Sequence, residues 1–359
     1  MESTKILLDY HRRMLDDAVR TEAFRRAIAA VVRPGDAVVD VGTGTGILAC
    51  FACAAGARRV YAIEVGQIVE MARATVAENG WADRVTFLPR DSRRVEVPER
   101  ADVVVSETLG GMGVEENIVE IMADARRRFL KPGGRLIPSR VQVFVAPASV
   151  EETYARLTWP SAERCGVRFS LMRHLSLNTP HRVWLSPSAL LGPPVSLYDL
   201  DLGTADRLPE RTSLELPADR EGVCHGVAAW FSAYDGNELL VSNSPDRPST
   251  HWGQMFLPVA EPCRLEAGGR LALSVRVFPT RNEIFFEWSG AFFPVKGHDS
   301  APGPSFTHSN LHLVPPWQGL DLATKQAIAA AARRGSKLLA VLTSLNLRRS
   351  STATPTRNE

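Results

Sequence analysis

Apolar residues fall at helical spacing through the first 33 positions. Met14, Leu15, Ala18 and Val19 form one set and Phe24, Ile28 and Val31 another, with polar residues between them. Pro34-Gly35 breaks that pattern. A strand–helix alternation follows. Ala37–Val41 reads as a short buried strand, then a glycine-rich turn and an apolar helix through Ala55. Residues 60–63 predict a second strand and Val69–Glu78 a helix that ends near Asn79-Gly80. Val85–Leu88 and 103–105 predict two more strands, and 118–130 a helix stopped by Lys131-Pro132-Gly133-Gly134. Continuous Val/Ile runs separated by helices imply a parallel sheet covered on both faces.

After Pro138 the pattern changes. Segments 141–146, 223–233, 239–241, 255–259, 271–277 and 284–288 are β-rich and lie between Gly, Pro and Asp turns. No helical period connects them, which predicts an antiparallel β-barrel-like domain. Within it, 153–177 has a mixed amphipathic pattern and reads as an insertion. Residues 296–310 are rich in Pro, Gly and Ser and read as a linker. An Ala-rich helix is predicted over 321–347, interrupted at Gly335, and a polar, disordered tail from Arg348. The expected division is 1–34, helices over a cofactor; 35–140, a Rossmann-like α/β domain; 141–295, the β domain; and 296–359, the linker, helix and tail. The class is α/β.

Composition narrows the function. Of 359 residues, 45% are hydrophobic and 23% charged, an ordinary globular mix. A net charge of +2 argues against a nucleic-acid partner. The N-terminus lacks a signal-peptide core, and no stretch approaches the roughly 18 apolar residues of a membrane span. The expected compartment is the cytoplasm. The five cysteines are odd in number and scattered, which excludes a disulfide framework. Cys50 and Cys53 form a C-x-x-C inside an apolar helical run, where packing is favoured over redox or metal chemistry, and no metal site is expected.

The chemistry concentrates at Val38-Val39-Asp40-Val41-Gly42-Thr43-Gly44-Thr45-Gly46, which closes the first strand and opens the next helix. Glycines there permit close backbone approach to a ligand at a helix N-terminus. Glu64 ends the second strand, 22 residues past Gly42, where a ribose-binding carboxylate is expected. A dinucleotide could share this layout. However, the glycine spacing is G-x-G-x-G rather than G-x-G-x-x-G. Asp40 would also repel a pyrophosphate, whereas it suits the ammonium or sulfonium of S-adenosylmethionine. Gly42, Gly44, Gly46, Asp40 and Glu64 are therefore assigned to S-adenosylmethionine. Asp91 and Ser92, after the third strand, are expected near its adenine.

These stretches, with Val60-Tyr61-Ala62-Ile63-Glu64, resemble the cofactor signature of the protein arginine N-methyltransferases, here in a divergent, bacterial-type form. Three further stretches carry the resemblance across residues 10–290. Tyr10-His11-Arg12-Arg13-Met14-Leu15-Asp16-Asp17-Ala18-Val19-Arg20-Thr21 is similar to the family's helix over the cofactor. It implies that Arg20 holds the methionine carboxylate, that His11 lies near the ribose, and that Met14 lines the point where donor and acceptor meet. Ser106 to Glu116 resembles the double-glutamate hairpin, whose glutamates stand nine positions apart. Glu107 and Glu116 keep that spacing, and Glu115 does not. Ser249-Thr250-His251-Trp252-Gly253-Gln254 resembles the Thr-His-Trp loop, and Ser242-Asn243-Ser244-Pro245 also tracks the family. The resemblance further implies a homodimer, formed by an arm at 153–177.

The chemistry explains the paired acids. A guanidinium has a pKa above 12 and a delocalised charge, so it is a poor nucleophile. Glu107 and Glu116 can hold its N–H groups and draw charge toward the non-reacting nitrogens. Glu107 also borders the cofactor, and Trp252 is a candidate for the acceptor wall. His251, oriented by Asp17 as in the family, is a candidate proton acceptor or relay. Two departures open the acceptor question. Thr108-Leu109 stands where the family has Trp-Met, and the nine residues before Tyr10 lack the family's aromatic segment. The expected acceptor is thus an arginine in a protein or peptide, or free arginine or a guanidino metabolite. Methylation of another small molecule at N, O or C, and a dimeric scaffold without turnover, are the alternatives.

Overall fold

The computed structural model describes residues 2–158, 163–280, 284–295 and 303–310. The expected helix at 321–347, the tail and Trp159 lie outside the described residues.

The N-terminal helical stretch is two helices, α1 (Glu2–Asp16) and α2 (Ala18–Val31). Asp17 separates them and caps α2 by accepting the N–H of Arg20 at 2.9 Å. Then come β1 (Ala37–Val41), α3 (Ile47–Ala54), β2 (Arg59–Ile63), α4 (Val69–Glu78), β3 (Val85–Leu88), β4 (Ala101–Ser106), α5 (Ile118–Arg128) and β5 (Leu130–Ile137). The five strands form one parallel sheet in the order β3-β2-β1-β4-β5. Every residue of β1 is buried, as a central parallel strand requires. The order reverses between β1 and β4, so the carboxyl ends of these strands border a crevice where ligands of such sheets collect. Lys131–Gly134 is more than a helix stop. The chain has already joined the sheet at Leu130, and the next paired residue is Arg135, so the Pro-Gly-Gly segment bulges out of register.

The second half comprises β6 (Arg140–Ala148), α6 (Glu151–Thr158), β7 (Glu163–Arg164), β8 (Val167–Arg168), α7 (Ser170–Leu177), β9 (His181–Val183), β10 (Val195–Asp201), β11 (Arg211–Pro217), β12 (Gly222–Asp235), β13 (Glu238–Ser242), β14 (Gln254–Leu265), β15 (Arg270–Pro279), β16 (Ile284–Phe293) and β17 (Ser305–Ser309). One antiparallel sheet runs β10-β6-β12-β14-β9, with β13 on β12; the other runs β11-β15-β16-β17. Trp288 of β16 ties the two, donating its indole N–H to Pro258 O at 3.0 Å. The insertion resolves into α6, the short β7–β8 hairpin and α7. The linker expected at 296–310 is corrected in part, because residues 305–309 form β17, paired with β16. Its Ser-Phe-Thr-His-Ser sequence has one large apolar residue, too few to mark a strand. β9, β10 and β11 were also unanticipated. β9 is only three residues long, β9, β10 and β11 are sheet edges, and β10 and β11 mix exposed with buried positions.

Candidate active site

A cavity of about 440 Å³ opens at the carboxyl ends of β1 and β4, under α1. Its lining includes His11, Met14, Arg20, Gly42, Gly44, Glu64, Asp91, Ser92, Glu107, Glu116, His251 and Trp252. The structure thus gathers nearly all the sequence-assigned residues into one space. Gly46 and Asp40 stand behind the glycine turn, and Asp17 stands behind His251.

At the cofactor end, Gly42 and Gly44 have φ of +77° and +54°, values an L side chain rarely adopts. A Cβ on Gly42 would lie 3.1 Å from Thr108, and one on Gly44 3.5 Å from His11. Glu64 accepts the N–H of Gly44 at 3.1 Å and of Gly66 at 2.6 Å, which fixes its carboxylate at the cavity wall. Asp40 is wholly buried; its Oδ2 accepts the Thr43 hydroxyl at 2.5 Å, while Oδ1 has no hydrogen-bond partner among the described residues. Burial, with the charge of Glu64 adding to it, pushes its pKa up to about 7. Asp91 is held by Arg93 through hydrogen bonds of 2.9 to 3.1 Å, beside Ser92 at the far end of the cavity.

Arg20 makes a buried ion pair with Glu107. Its Nε donates to Oε2 at 2.7 Å, and Nη2 is paired with the same oxygen. Nη1 is buried and has no hydrogen-bond partner among the described residues, a donor left for an anion. The Arg20 guanidinium, the glycine cradle and the fixed Glu64, all in the cavity wall, together fit S-adenosylmethionine. They suit its carboxylate, its backbone-hugging chain and its ribose, while Asp40, behind the turn, holds Thr43.

Across the cavity, Glu115 and Glu116 divide in role. The Glu115 carboxylate turns into its own hairpin and accepts the N–H of Met112 at 2.7 Å and of Val114 at 3.2 Å. Glu116 faces the cavity. It is open to cavity water yet surrounded by protein walls. Burial, reinforced by Glu107 and Glu115, pushes its pKa up to about 7. The Tyr10 hydroxyl lies beside it, its own pKa pushed up to about 12 by burial and then by Glu116 and Glu107.

His251 is fixed by Asp17, whose Oδ2 accepts the backbone N–H of His251 at 2.7 Å and lies 2.8 Å from Nδ1. Burial raises the pKa of Asp17, but the His251 and Arg20 hydrogen bonds outweigh it and hold the carboxyl low. An ionised Asp17 makes Nδ1 the protonated nitrogen and leaves Nε2 able to accept. Trp252 is 2% exposed, packed edge-on to Phe231 at 5.1 Å and tilted on His251 at 4.3 Å.

Two residues at this site escaped the sequence reading. Tyr10 was quoted only as the start of a motif. Asn243 was quoted without a role, yet its side chain donates to Gly111 O at 2.7 Å and to Gly253 O, and accepts from Phe231 N at 2.8 Å. It thereby ties the double-glutamate hairpin to the His251 loop. An Asn between two Ser in a turn carries no sequence signal for such a bridge.

Fold and site together define a class I S-adenosylmethionine-dependent methyltransferase. Residues 21–159 match the family described as ribosomal protein L11 methyltransferase (PrmA), and residues 139–287 match the arginine methyltransferase oligomerization subdomain. Protein arginine N-methyltransferase 6 of Xenopus laevis is 33% identical over 284 residues, 75% of this chain and 84% of that protein. A probable histone-arginine methyltransferase CARM1 of Oryza sativa subsp. indica is 32% identical over 74% of this chain and 54% of its own length. Among solved structures, the Trypanosoma brucei PRMT1 enzyme-prozyme heterotetrameric complex with AdoHcy superposes with a TM-score of 0.72 at 25% identity, covering 83% of this chain and 98% of that one. Arabidopsis thaliana protein arginine methyltransferase 10 shares the fold, with a TM-score of 0.71 at 24% identity over 84% of this chain and 97% of that one. The chain belongs to the protein arginine N-methyltransferase family, and its methyl donor is S-adenosylmethionine.

Proposed function

We propose that the protein methylates a nitrogen of an arginine guanidinium, and that it works as a homodimer. The observation that carries the reading is the pair Glu107 and Glu116, both facing one cavity beside the cofactor wall. Arg20 already occupies one oxygen of Glu107 and orients the other. Glu116 lacks an ion-pair partner among the described residues and stands next to other acids. A planar cation shared between the two carboxylates satisfies both.

S-adenosylmethionine supplies an electrophilic methyl group on a sulfonium sulfur. The side chains supply position and charge. Glu107 and Glu116 hold the non-reacting N–H groups and draw the positive charge toward themselves, which leaves the third nitrogen free to attack. As its N–C bond forms and the S–C bond breaks, that nitrogen must lose a proton. Glu116 and the Nε2 of His251 both line the cavity and can take it. Trp252, Met14 and Tyr10 limit the water that reaches this point.

The homodimer reading rests on exposed apolar residues of the arm. Val167, Leu171 and Met172 are 55%, 40% and 43% exposed. On the outer face of α2, α3 and α4 lies a second cavity of about 540 Å³, lined by Leu15, Ile47, Phe51, Met71 and Trp81 among others. A second copy's arm would cover it.

The test is substitution of each glutamate. Glu107→Gln and Glu116→Gln keep the shape and remove the charge. Each should cut turnover of a guanidinium acceptor by orders of magnitude, and the double variant should be little worse than either single. A neutral oxygen or carbon acceptor needs no paired anions. Either variant within about threefold of wild type would end the guanidinium reading.

A further inference from the structure

The strand beside the double-glutamate hairpin carries a cation that the chemistry above does not use. Arg182 sits on β9, the edge strand beside β14, opposite Met255. Met255 in turn packs against the double-glutamate hairpin, its sulfur 2.7 Å from where a Cβ on Gly111 would lie. Gly253, with φ +56°, brings the His251 loop so close to β9 that a Cβ there would lie 2.5 Å from Val183 O and 3.3 Å from Arg182 Cγ. Arg182 is exposed and makes no hydrogen bond or ion pair among the described residues. Its charge nonetheless reaches Glu115, Glu116 and Tyr10. Val183 is buried, so by strand alternation Arg182 and Trp184 share a face. Trp184 is 60% exposed, and its ring is anchored by an indole N–H bond of 3.1 Å to Thr250 O, in the loop that carries His251.

The charge pattern decides what this face does. Arg20 balances Glu107, and backbone N–H groups hold Glu115. An arriving guanidinium then balances Glu116. Arg182 is then left with Glu115 alone, whose oxygens are already taken by backbone N–H groups, and that arrangement favours an acceptor carrying its own anion near the reacting end. Resting on the guanidinium reading, we propose that Arg182 binds a carboxylate of the acceptor, with Trp184 as the flanking apolar wall. The carboxylate is either the α-carboxylate of free arginine or a similar guanidino acid, or an acidic side chain next to arginine in a peptide.

The test measures binding by calorimetry with S-adenosylhomocysteine present. L-arginine is paired with agmatine, which lacks the carboxylate. Acetyl-Asp-Arg-Gly-amide is paired with acetyl-Asn-Arg-Gly-amide. The carboxylated member of one pair should bind about tenfold more tightly, the scale of one charged hydrogen bond. The pair that discriminates identifies the source. Arg182→Ala should erase that preference, weakening the carboxylated probe far more than its neutral partner, and Arg182→Lys should keep part of it. Equal binding within both pairs overturns the proposal and leaves the guanidinium reading intact. Arg182→Ala weakening all probes alike, with a shifted pH profile of turnover, also overturns it, because Arg182 would then act only through Glu116. If no guanidino probe binds at all, the guanidinium reading itself falls, and this proposal with it.

Discussion

The guanidinium of Arg20 is locked onto the carboxylate of Glu107, so the residue assigned to the donor's carboxylate and the residue assigned to the acceptor share one buried ion pair. Donor and acceptor ends of the cavity are thereby coupled through a single contact. Removing one partner of a buried pair strands the other, at about 3–5 kcal/mol. Arg20→Met should lower stability by that order and weaken S-adenosylhomocysteine binding. Arg20→Lys keeps the charge but loses the fork and its Nη1 donor, so it should largely restore stability and not affinity. Thermal melts and calorimetry on the two variants separate these effects. Equal affinity in wild type and Arg20→Lys would show that Nη1 serves no ligand.

Glu116 sets a pH dependence. Its pKa is pushed up to about 7 by burial and then by Glu107 and Glu115. A guanidinium binds the ionised form, so kcat/KM should rise with pH through about 7 and fall about tenfold per unit well below it. Once the cation is bound the carboxylate is held ionised, so the same limb in kcat should move to lower pH. A flat kcat/KM profile from pH 5.5 to 8.5 would contradict this role.

Asp17 does two tasks with two oxygens: Oδ1 caps α2 and Oδ2 holds His251. Asn caps helices about as well as Asp, so Asp17→Asn separates the tasks. The helix should survive, while the charge that fixes Nδ1 as the donor disappears. Turnover should drop at least tenfold, with cofactor affinity within about twofold. Circular dichroism and S-adenosylhomocysteine titration check the controls, and unchanged turnover would remove His251 from the proton path.

The sheet and its switch point were legible because buried parallel strands write long Val/Ile runs, as in Ala37–Val41. The glycine turn and Glu64 were legible because their spacing is a constraint on backbone and charge, and Glu107 and Glu116 because they keep the nine-position spacing of the family's hairpin. Choosing Glu116 over Glu115 came from register alone, and the structure adds the physical reason that Glu115 is occupied by Met112 and Val114 N–H groups. Edge strands escaped, since β9 and β17 are short and mix polar with apolar residues. So did Asn243 and Arg182. Their importance lies in what lies across space from them, 132 residues away in the contact of Asn243 with Gly111, and no local pattern encodes that.

The arm gives an assembly prediction. Leu171 and Met172 expose apolar surface on α7 that a lone subunit leaves in water. Leu171→Asp with Met172→Asp should convert a dimer to a monomer without unfolding it, since neither side chain belongs to the core. Light scattering at micromolar concentration reads the mass. A monomeric wild type would refute the dimer directly.

His308 makes the last prediction, one of stability. It is 6% exposed on β17, stacked on Phe306 at 5.9 Å and tilted against Trp288 at 5.7 Å, and neither ring nitrogen has a hydrogen-bond partner among the described residues. Burial, with some repulsion from His174, lowers its pKa to about 4 from the usual 6.5. The unfolded chain therefore binds a proton between pH 6.5 and 4 that the folded chain refuses, so stability falls as pH drops through that window. Near pH 4.5 the loss from this one residue approaches about 2.5 kcal/mol. His308→Phe keeps the stacking and removes the titration. The variant should match wild type within about 1 kcal/mol at pH 7.5 and exceed it by about 2 kcal/mol or more at pH 4.5, read from denaturant midpoints at both values. The comparison with wild type cancels the titration of every other group. If the two proteins lose stability in parallel on acidification, His308 is not the buried neutral group that its surroundings imply.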